Sequence, residues 1–490
     1  MNRNFRPRAP EAGRDRAKGV GLVMIQIDGL SRGHLESALA EGRMPHLQKM
    51  ISKSSFRIHS LYSGLPSCTP ASQAELFYGV KNAVPAFAFL EPKTGKIEKM
   101  FSYGTATGIQ QKLEGMGQSL LEGGSSYSNI FDGGALRSSY CACQMGFGGI
   151  LADLGSLGIL PLIFRHPIRL LWILALMAME TVHAIGDIVR AKVRPAMWRR
   201  EAVFFVNRIF VSVFLRETIT ILAARDIRQQ LPIVHVNYMG YDEHAHQRGP
   251  GSFPAKAHLG KIDVAISRLD RAIVKSGKSY RCWIYSDHGQ EAVQSFESVT
   301  GKTLEAAIEE ISGGMPVVRV PDPHRPWEIP ESDSRSWLIS NPGPLISLYP
   351  STPLTTAQKE EISLALVSQA KVPMVFHSPE KGRVRVCTRK GWHELPEDVH
   401  SILGPGHPFP EECIADLIDL CQHSLAGPLI VSGWRPTETP LSFFTESGAH
   451  GGMGREEVHG FALLPPEIEL PADRPYFRFL DIREMALSLR

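Results

Sequence analysis

The sequence predicts an α/β fold, a doubly wound and mostly parallel sheet covered by helices on both faces. Three observations carry this. Val20 to Ile27 is a continuous apolar run closed by Asp28-Gly29, which is how a strand buried on both faces reads when its end opens into a loop. Pro232-Ile-Val-His-Val-Asn-Tyr238 ahead of Asp242 and Arg281-Cys-Trp-Ile-Tyr-Ser286 ahead of Asp287 repeat the arrangement. Between them, Pro254 to Lys275 has helical periodicity, with Ile262, Val264, Ala265, Leu269 and Ile273 apolar, and supplies a crossover. Ligands in open α/β sheets gather beyond the strand ends, so three carboxylates can converge on one edge.

The remaining segments follow in chain order. Residues 1–18 hold Arg3, Arg6, Arg8, Arg14, Arg16 and Lys18 with no apolar run, a pattern that predicts a disordered basic arm and gives no support for a cleavable secretory signal. The catalytic core is expected over 19–289 and 446–490, with an insert at about 150–205. Within that insert Ile168 to Met179 is apolar except for Arg169, and Arg165, Arg190, Lys192, Arg194, Arg199 and Arg200 flank it. A dozen helical residues rise only about 18 Å against roughly 30 Å of bilayer hydrocarbon, so the stretch is too short to span. It reads as a buried lid, a homodimer helix, or an element of 158–200 that meets an anionic membrane peripherally. Residues 290–445 mix short strands, proline-rich loops such as Pro321-Asp-Pro-His-Arg-Pro326 and a helical stretch from Thr356 to Gln369, and are expected to form a smaller α+β subdomain.

Composition excludes little but is consistent with this plan. The 490 residues are 43% hydrophobic and 21% charged, ordinary for a globular chain. A net charge of +3 gives no indication of a specific nucleic-acid partner. Seven cysteines, an odd number without framework spacing, point to a reducing compartment and hence to cytoplasmic residence, with peripheral membrane contact through 158–200 as the further option.

Five short islands carry the chemistry: Ile-Gln-Ile-Asp28-Gly, Cys-Thr69-Pro-Ala-Ser-Gln, Tyr-Asp242-Glu-His-Ala-His246, Tyr-Ser-Asp287-His288-Gly and Ser-Gly-Ala-His450-Gly-Gly. Hard carboxylates with borderline imidazoles and one hydroxyl suit two divalent ions, zinc first and manganese second. Asp242 and His246 lie four apart, so one helical turn can direct both onto one ion. His244 and Glu243 then face elsewhere. Thr69, followed by Pro70, also has the look of a helix start, where a phosphate and a nucleophile should meet.

Taken together, the islands resemble the alkaline phosphatase superfamily, most closely its type I phosphodiesterase and nucleotide pyrophosphatase branch. The resemblance spans Val20 to Gly454. It implies an alkaline-phosphatase-like sandwich in which Asp242, His246 and His450 bind one ion, Asp28, Asp287 and His288 bind the other, and Thr69 stands between them as nucleophile and ligand. Cys68-Thr-Pro-Ala-Ser72 superficially resembles a sulfatase sequence in which cysteine is the modified nucleophile. The family spacing of ten residues from nucleophile to the glycine that ends the helix selects Thr69 over Cys68, since Gly79 is ten residues from the former and eleven from the latter. Ser72 also stands where a sulfatase needs Arg, and where nucleotide pyrophosphatases have a phosphate-contacting Asn. Ser72 itself and Asn129, in a small polar loop, are the candidate substrate contacts.

The expected activity is metal-dependent hydrolysis of a phosphodiester or phosphoanhydride bond through a phosphothreonine, on a small-molecule or lipid-linked substrate. The islands supply no cationic pair for a dianionic monoester. Phosphomonoesterase, sulfatase and a catalytically silent membrane-associated scaffold are the alternatives, in that order.

Overall fold

The computed structural model describes residues 19–145, 167–191, 204, 208–319, 336–340 and 343–489. The basic arm expected at 1–18, much of the insert on either side of residues 167–191, and the loop Pro321–Pro326 lie outside the described residues.

Strands β1 (Gly21–Ile27), β2 (Arg57–Tyr62), β3 (Ser125–Tyr127), β4 (Arg137–Ser139), β5 (Ile233–Tyr238) and β6 (Tyr280–Tyr285) belong to a central sheet. A second sheet is built from β7 (Val317–Arg319), β8 (Trp337–Ile339), β9 (Leu345–Pro350), β10 (Met374–Glu380), β11 (Arg383–Thr388), β12 (Gly391–Leu395) and β13 (Leu429–Ser432). The chain then returns to the first sheet with β14 (His459–Leu464). The central order is β2-β14-β6-β1-β5-β3-β4, and the second is β7-β8-β9-β13-β10-β11-β12. In the central sheet β1 pairs in parallel with both β5 and β6, while β14 runs antiparallel to its neighbours β6 and β2. The second sheet is antiparallel apart from the β7–β8 pair. The fold is therefore mixed α/β around a mostly parallel sheet.

The apolar run of β1 is explained by its place in the middle. Val23, Ile25 and Ile27 enter one core with Leu222, Ile262 and Leu269, whereas Leu22 and Met24 enter the opposite core with Phe77 and Ile482. A strand covered on both faces has no solvent side to alternate with, so its sequence is apolar except at Gln26, near the site end.

Helices α1 (Thr69–Tyr78) and α4 (Gly240–Arg248) carry site residues, and α2 (Pro167–Ala191), α3 (Arg216–Arg228) and α5 (Phe253–Ser276) are further helices of the chain. The expected crossover helix is α5, and its limits follow local signals. Ser252 caps it by accepting from the Ala255 N–H, and Gly277 ends it in the left-handed region at φ +70°. In the second sheet's layer, the stretch expected from Thr356 forms a helix over Thr356–Ser368, opened by a capping box between Thr355 and Gln358. At α1 the start differs by one residue from the sequence reading. Cys68, extended at φ −147° and ψ 151°, is the capping residue, and Thr69 is the first helical residue. The Cys68 side chain makes no capping hydrogen bond.

Candidate active site

The islands converge where the strand reading placed them. Asp28 follows β1, Asp287 and His288 follow β6, and Asp242 and His246 lie on α4, which begins directly beyond β5. Thr69 opens α1, and His450 follows the two-residue ladder in which Gly448 and Ala449 pair with Ala292 and Glu291. Two glycines are dictated by this crowding. A Cβ at Gly29, which has φ +70°, would lie 2.3 Å from Asp242 Oδ1, and one at Gly448 would lie 2.5 Å from the Ala245 carbonyl oxygen.

Two groups of side chains have ligand atoms within 4.8 Å of one another: Asp242, His246 and His450, and Asp28, Asp242 and His288. Asp242 thus takes part in both groups, which the sequence did not indicate. His246 Nε2 is 3.4 Å from Asp242 Oδ2, and His450 Nε2 is 3.8 Å from Asp242 Oδ1. His288 Nε2 is 3.6 Å from Asp28 Oδ1 and 3.3 Å from Asp287 Oδ2. Thr69 Oγ1 lies 3.4 Å from His288 Nε2. The His288 and His450 rings stack with centroids 3.9 Å apart, and His246 and His450 are 5.0 Å apart.

The orientation of the three imidazoles is the most informative detail. His246 Nδ1 faces the Glu446 carboxylate at 2.8 Å and the Gly448 carbonyl at 3.0 Å. His450 Nδ1 faces the Ser67 carbonyl and His288 Nδ1 the Gly289 carbonyl, each at 3.0 Å. An acceptor at Nδ1 fixes the proton there and leaves Nε2 with its lone pair, the arrangement of metal-ligating histidines. All three Nε2 atoms point into the carboxylate cluster.

The electrostatics are those of buried, crowded acids and imidazoles. Burial, reinforced by Asp287 and Asp242, holds the Asp28 carboxyl well above the usual carboxylate range. Burial likewise raises Asp287, with His288 and a hydrogen bond from Thr69 opposing it. Burial disfavours charge on Asp242 and His246 too, but their mutual attraction prevails, so Asp242 is held low and His246 high. Asp287 Oδ2 is buried with no hydrogen-bond partner among the described residues, His288 Nε2 standing 3.3 Å away, and a buried charged oxygen costs several kcal/mol unless a cation compensates. Oxygen and nitrogen donors, free imidazole lone pairs and an orphaned carboxylate oxygen together fit divalent ions.

Supporting residues were largely missed from sequence. Gln290 Nε2 donates to Asp242 Oδ1 at 2.5 Å, and Asn237 Nδ2 donates to Asp28 Oδ2 at 2.6 Å. Asn237 and Gln26 were visible in principle, as polar residues inside apolar strand runs. Glu457 accepts from the Gly452 and Gly454 N–H groups and braces the loop carrying His450, while Ser67 Oγ donates to the Gly452 carbonyl. Nothing local in the sequence marks Glu446, Glu457 or Ser67.

The two candidate substrate contacts are otherwise engaged. Asn129 is buried, with its carbonyl accepting from Gln73 and its amide nitrogen directed at Ser126 Oγ and His235 Nδ1. That places it in a structural network. Ser72 Oγ donates back to the Thr69 carbonyl at 3.0 Å, so its proton stays within α1. His244, expected to face away from the ligands, is buried, stacks on His258 at 4.9 Å and meets Ser212 Oγ at 3.2 Å. Cys68 is buried, and burial pushes its thiol up to about 12, so it is protonated at neutral pH.

Glu446 gives the first expected result. A carboxylate behind a ligating histidine raises its basicity, and loss of such a partner typically costs 10–100-fold in metal affinity. Glu446→Gln is therefore expected to weaken one of two ions by roughly that factor and leave the other unchanged, as read by a chelator competition titration. Two ions weakened equally, or neither, would contradict it.

No protein-family model and no curated protein matches this sequence. Solved structures do match, and they define the class of fold first: a mixed α/β architecture around a mostly parallel sheet, shared along nearly the whole chain. Phosphonoacetate hydrolase from Sinorhizobium meliloti 1021, in complex with phosphonoformate, superposes with a TM-score of 0.51 at 14% identity, covering 96% of this chain and 95% of that one. The same enzyme with phosphonoacetate gives 0.51 at 13% over the same shares. Human ectonucleotide pyrophosphatase/phosphodiesterase 5 gives 0.47 at 10%, covering 96% and 94%. At these identities the first two establish shared architecture alone.

Proposed function

We propose that this chain is a two-metal hydrolase of phosphodiester or phosphoanhydride bonds that works through a phosphothreonine at Thr69. The observation that supports it most is the set of three Nδ1-anchored imidazoles clustered with Asp28, Asp242 and Asp287 beside Thr69 Oγ1. Asp242, His246 and His450 would hold one ion, and Asp28, Asp287 and His288, with Thr69, the other. Zinc suits this donor set best, with manganese next. When bound, such ions supply Lewis acidity and stabilise alkoxide at neutral pH.

The chain's own residues do the rest. Thr69, held at the positive end of α1, presents Oγ1 to phosphorus. The hydroxyl loses its proton to solvent, the Oγ1–P bond forms and the bond to the leaving oxygen breaks. Water then attacks phosphorus from the opposite side, restoring Thr69 and releasing the phosphoryl product. Glu446, Ser67 and Gly289 keep the three imidazoles in the tautomer that leaves Nε2 free, and Gln290 and Asn237 fix Asp242 and Asp28. The islands' lack of a cationic pair favours a diester, with one negative charge per phosphate, over a monoester. At the level of fold, the phosphonoacetate hydrolase bound to phosphonoformate is consistent with a small phosphorus oxyacid as substrate type. Seven cysteines, all free thiols, support a reducing, cytoplasmic setting.

A panel of chromogenic monoester, diester and sulfate ester substrates, assayed with added zinc or manganese, tests the reading. The diester is expected to be turned over fastest. Faster sulfate ester cleavage, abolished in Cys68→Ala, would replace it with a sulfatase; no turnover of any ester with either metal would end it.

A further inference from the structure

Helix α2 is inside out. Its inner side carries Ile173 and, seven residues on, Glu180, whose buried carboxylate is paired with Arg208 and with Lys261 of α5. Its outer side exposes Leu171, Trp172, Leu174, Met179, Val182 and Ile185. A surface helix of a globular protein normally does the reverse, burying its apolar stripe and turning charge to water. Beside α2 runs a groove of about 700 Å³ lined in part by Trp172, Leu176, Ile221 and Val264. On α5, Lys261, Val264 and Arg268 line the groove, and Arg271 and Lys275 further along the same helix are exposed.

Charge decides what fits. Residues 165–200 contain seven Lys and Arg against Glu180 and Asp187 as the acids, and Glu180 is already neutralised. The cations occur at both ends of the apolar stretch, Arg165 and Arg169 before it and Arg190 to Arg200 after it. A two-fold pairing of this face with a second copy, parallel or antiparallel, would bring basic ends against basic ends. An anionic lipid surface accepts the apolar face and both basic ends together. Among the described residues no helix is long and apolar enough to cross a membrane, so α2 would lie in the interface.

We infer that the outward face of α2 docks the protein reversibly on anionic membranes. This goes beyond the hydrolase reading and stands or falls without it.

The full chain is to be co-sedimented with vesicles of phosphatidylglycerol and phosphatidylcholine, and of phosphatidylcholine alone. Binding to the anionic vesicles only, reduced by salt, is expected. A blue shift of emission on binding should be present in the parent and absent in Trp172→Phe, which isolates this tryptophan from the other six. Leu174→Glu and Val182→Glu, made separately at exposed positions, are each expected to lower vesicle binding by at least roughly tenfold while melting temperature and turnover stay at parental values. Equal binding to both vesicle types, no binding, or unchanged binding by both glutamate variants would overturn the inference. So would a concentration-dependent dimer that these substitutions dissolve, or Trp172 shielded from an aqueous quencher before vesicles are added.

Discussion

Thr69→Ala is expected to lower turnover by roughly 10³-fold or more while ion content stays near that of the parent. In the proposed reaction the Thr69 hydroxyl attacks phosphorus, and the six carboxylate and imidazole side chains that remain are still clustered to hold ions. Single-turnover kinetics with a chromogenic diester, alongside metal analysis of the purified variant, separate the two effects. Near-parental turnover would remove Thr69 from the chemistry. Loss of both ions together with activity would make it a ligand first.

Stripping the ions is the second large effect. A site that binds only the native state adds about 2.7 kcal/mol of stability when free metal is at 100 times its dissociation constant, so chelation is expected to lower the melting temperature by several degrees and zinc to restore it. The pH dependence has a definite sign. The carboxyl of Asp28 and the imidazole of His246 both have native values raised above their ordinary ones. Each therefore stabilises the ion-free protein below its unfolded value and ceases to do so as pH rises through its native value. His450, lowered by burial and by His288, is neutral in native and unfolded chains above its ordinary value of about 6.5 and has no effect there. From about pH 6.5 upward, the chelated protein should thus lose stability, and the increment restored by zinc should grow, because binding also displaces protons. Melting curves that ignore chelator and zinc across this range would exclude a metal centre.

The elements legible in the sequence are those whose signal is local. β1, β5 and β6 declared themselves as apolar runs ended by acids, and α5 by its period and its flanking Ser252 and Gly277. The convergence of Asp28, Asp242, Asp287 and His288 was legible because each lies just beyond such a run, whereas Thr69 and His450 were singled out by the resemblance of their islands. What stayed hidden depends on pairings hundreds of residues apart. The insertion of β14 between β2 and β6, the sharing of Asp242 between two groups, and the approach of Glu446 to His246 leave no local trace. The network around Asn129 was hidden for the same reason: a small polar loop suggests donors facing a ligand, and only the fold reveals that Gln73 and His235 lie against that amide. The reversed polarity of α2 could not be read either, because apolar residues on a helix give no indication of which side is outward.

The late return of β14 has a consequence for biosynthesis. In the central sheet β2 has β14 as its strand neighbour, with Arg57 opposite Leu464 and Tyr62 opposite His459. A ribosome that has delivered β2 must add some four hundred residues before that partner emerges, and His450 arrives only just ahead of it. Through most of translation β2 is an unpaired edge and the acidic pocket lacks one of its imidazoles, which is the condition in which nascent chains recruit chaperones or aggregate. Nascent chains arrested before residue 450 should accordingly be chaperone-bound and unable to retain a full complement of metal, and release should follow shortly after residue 464 clears the exit tunnel.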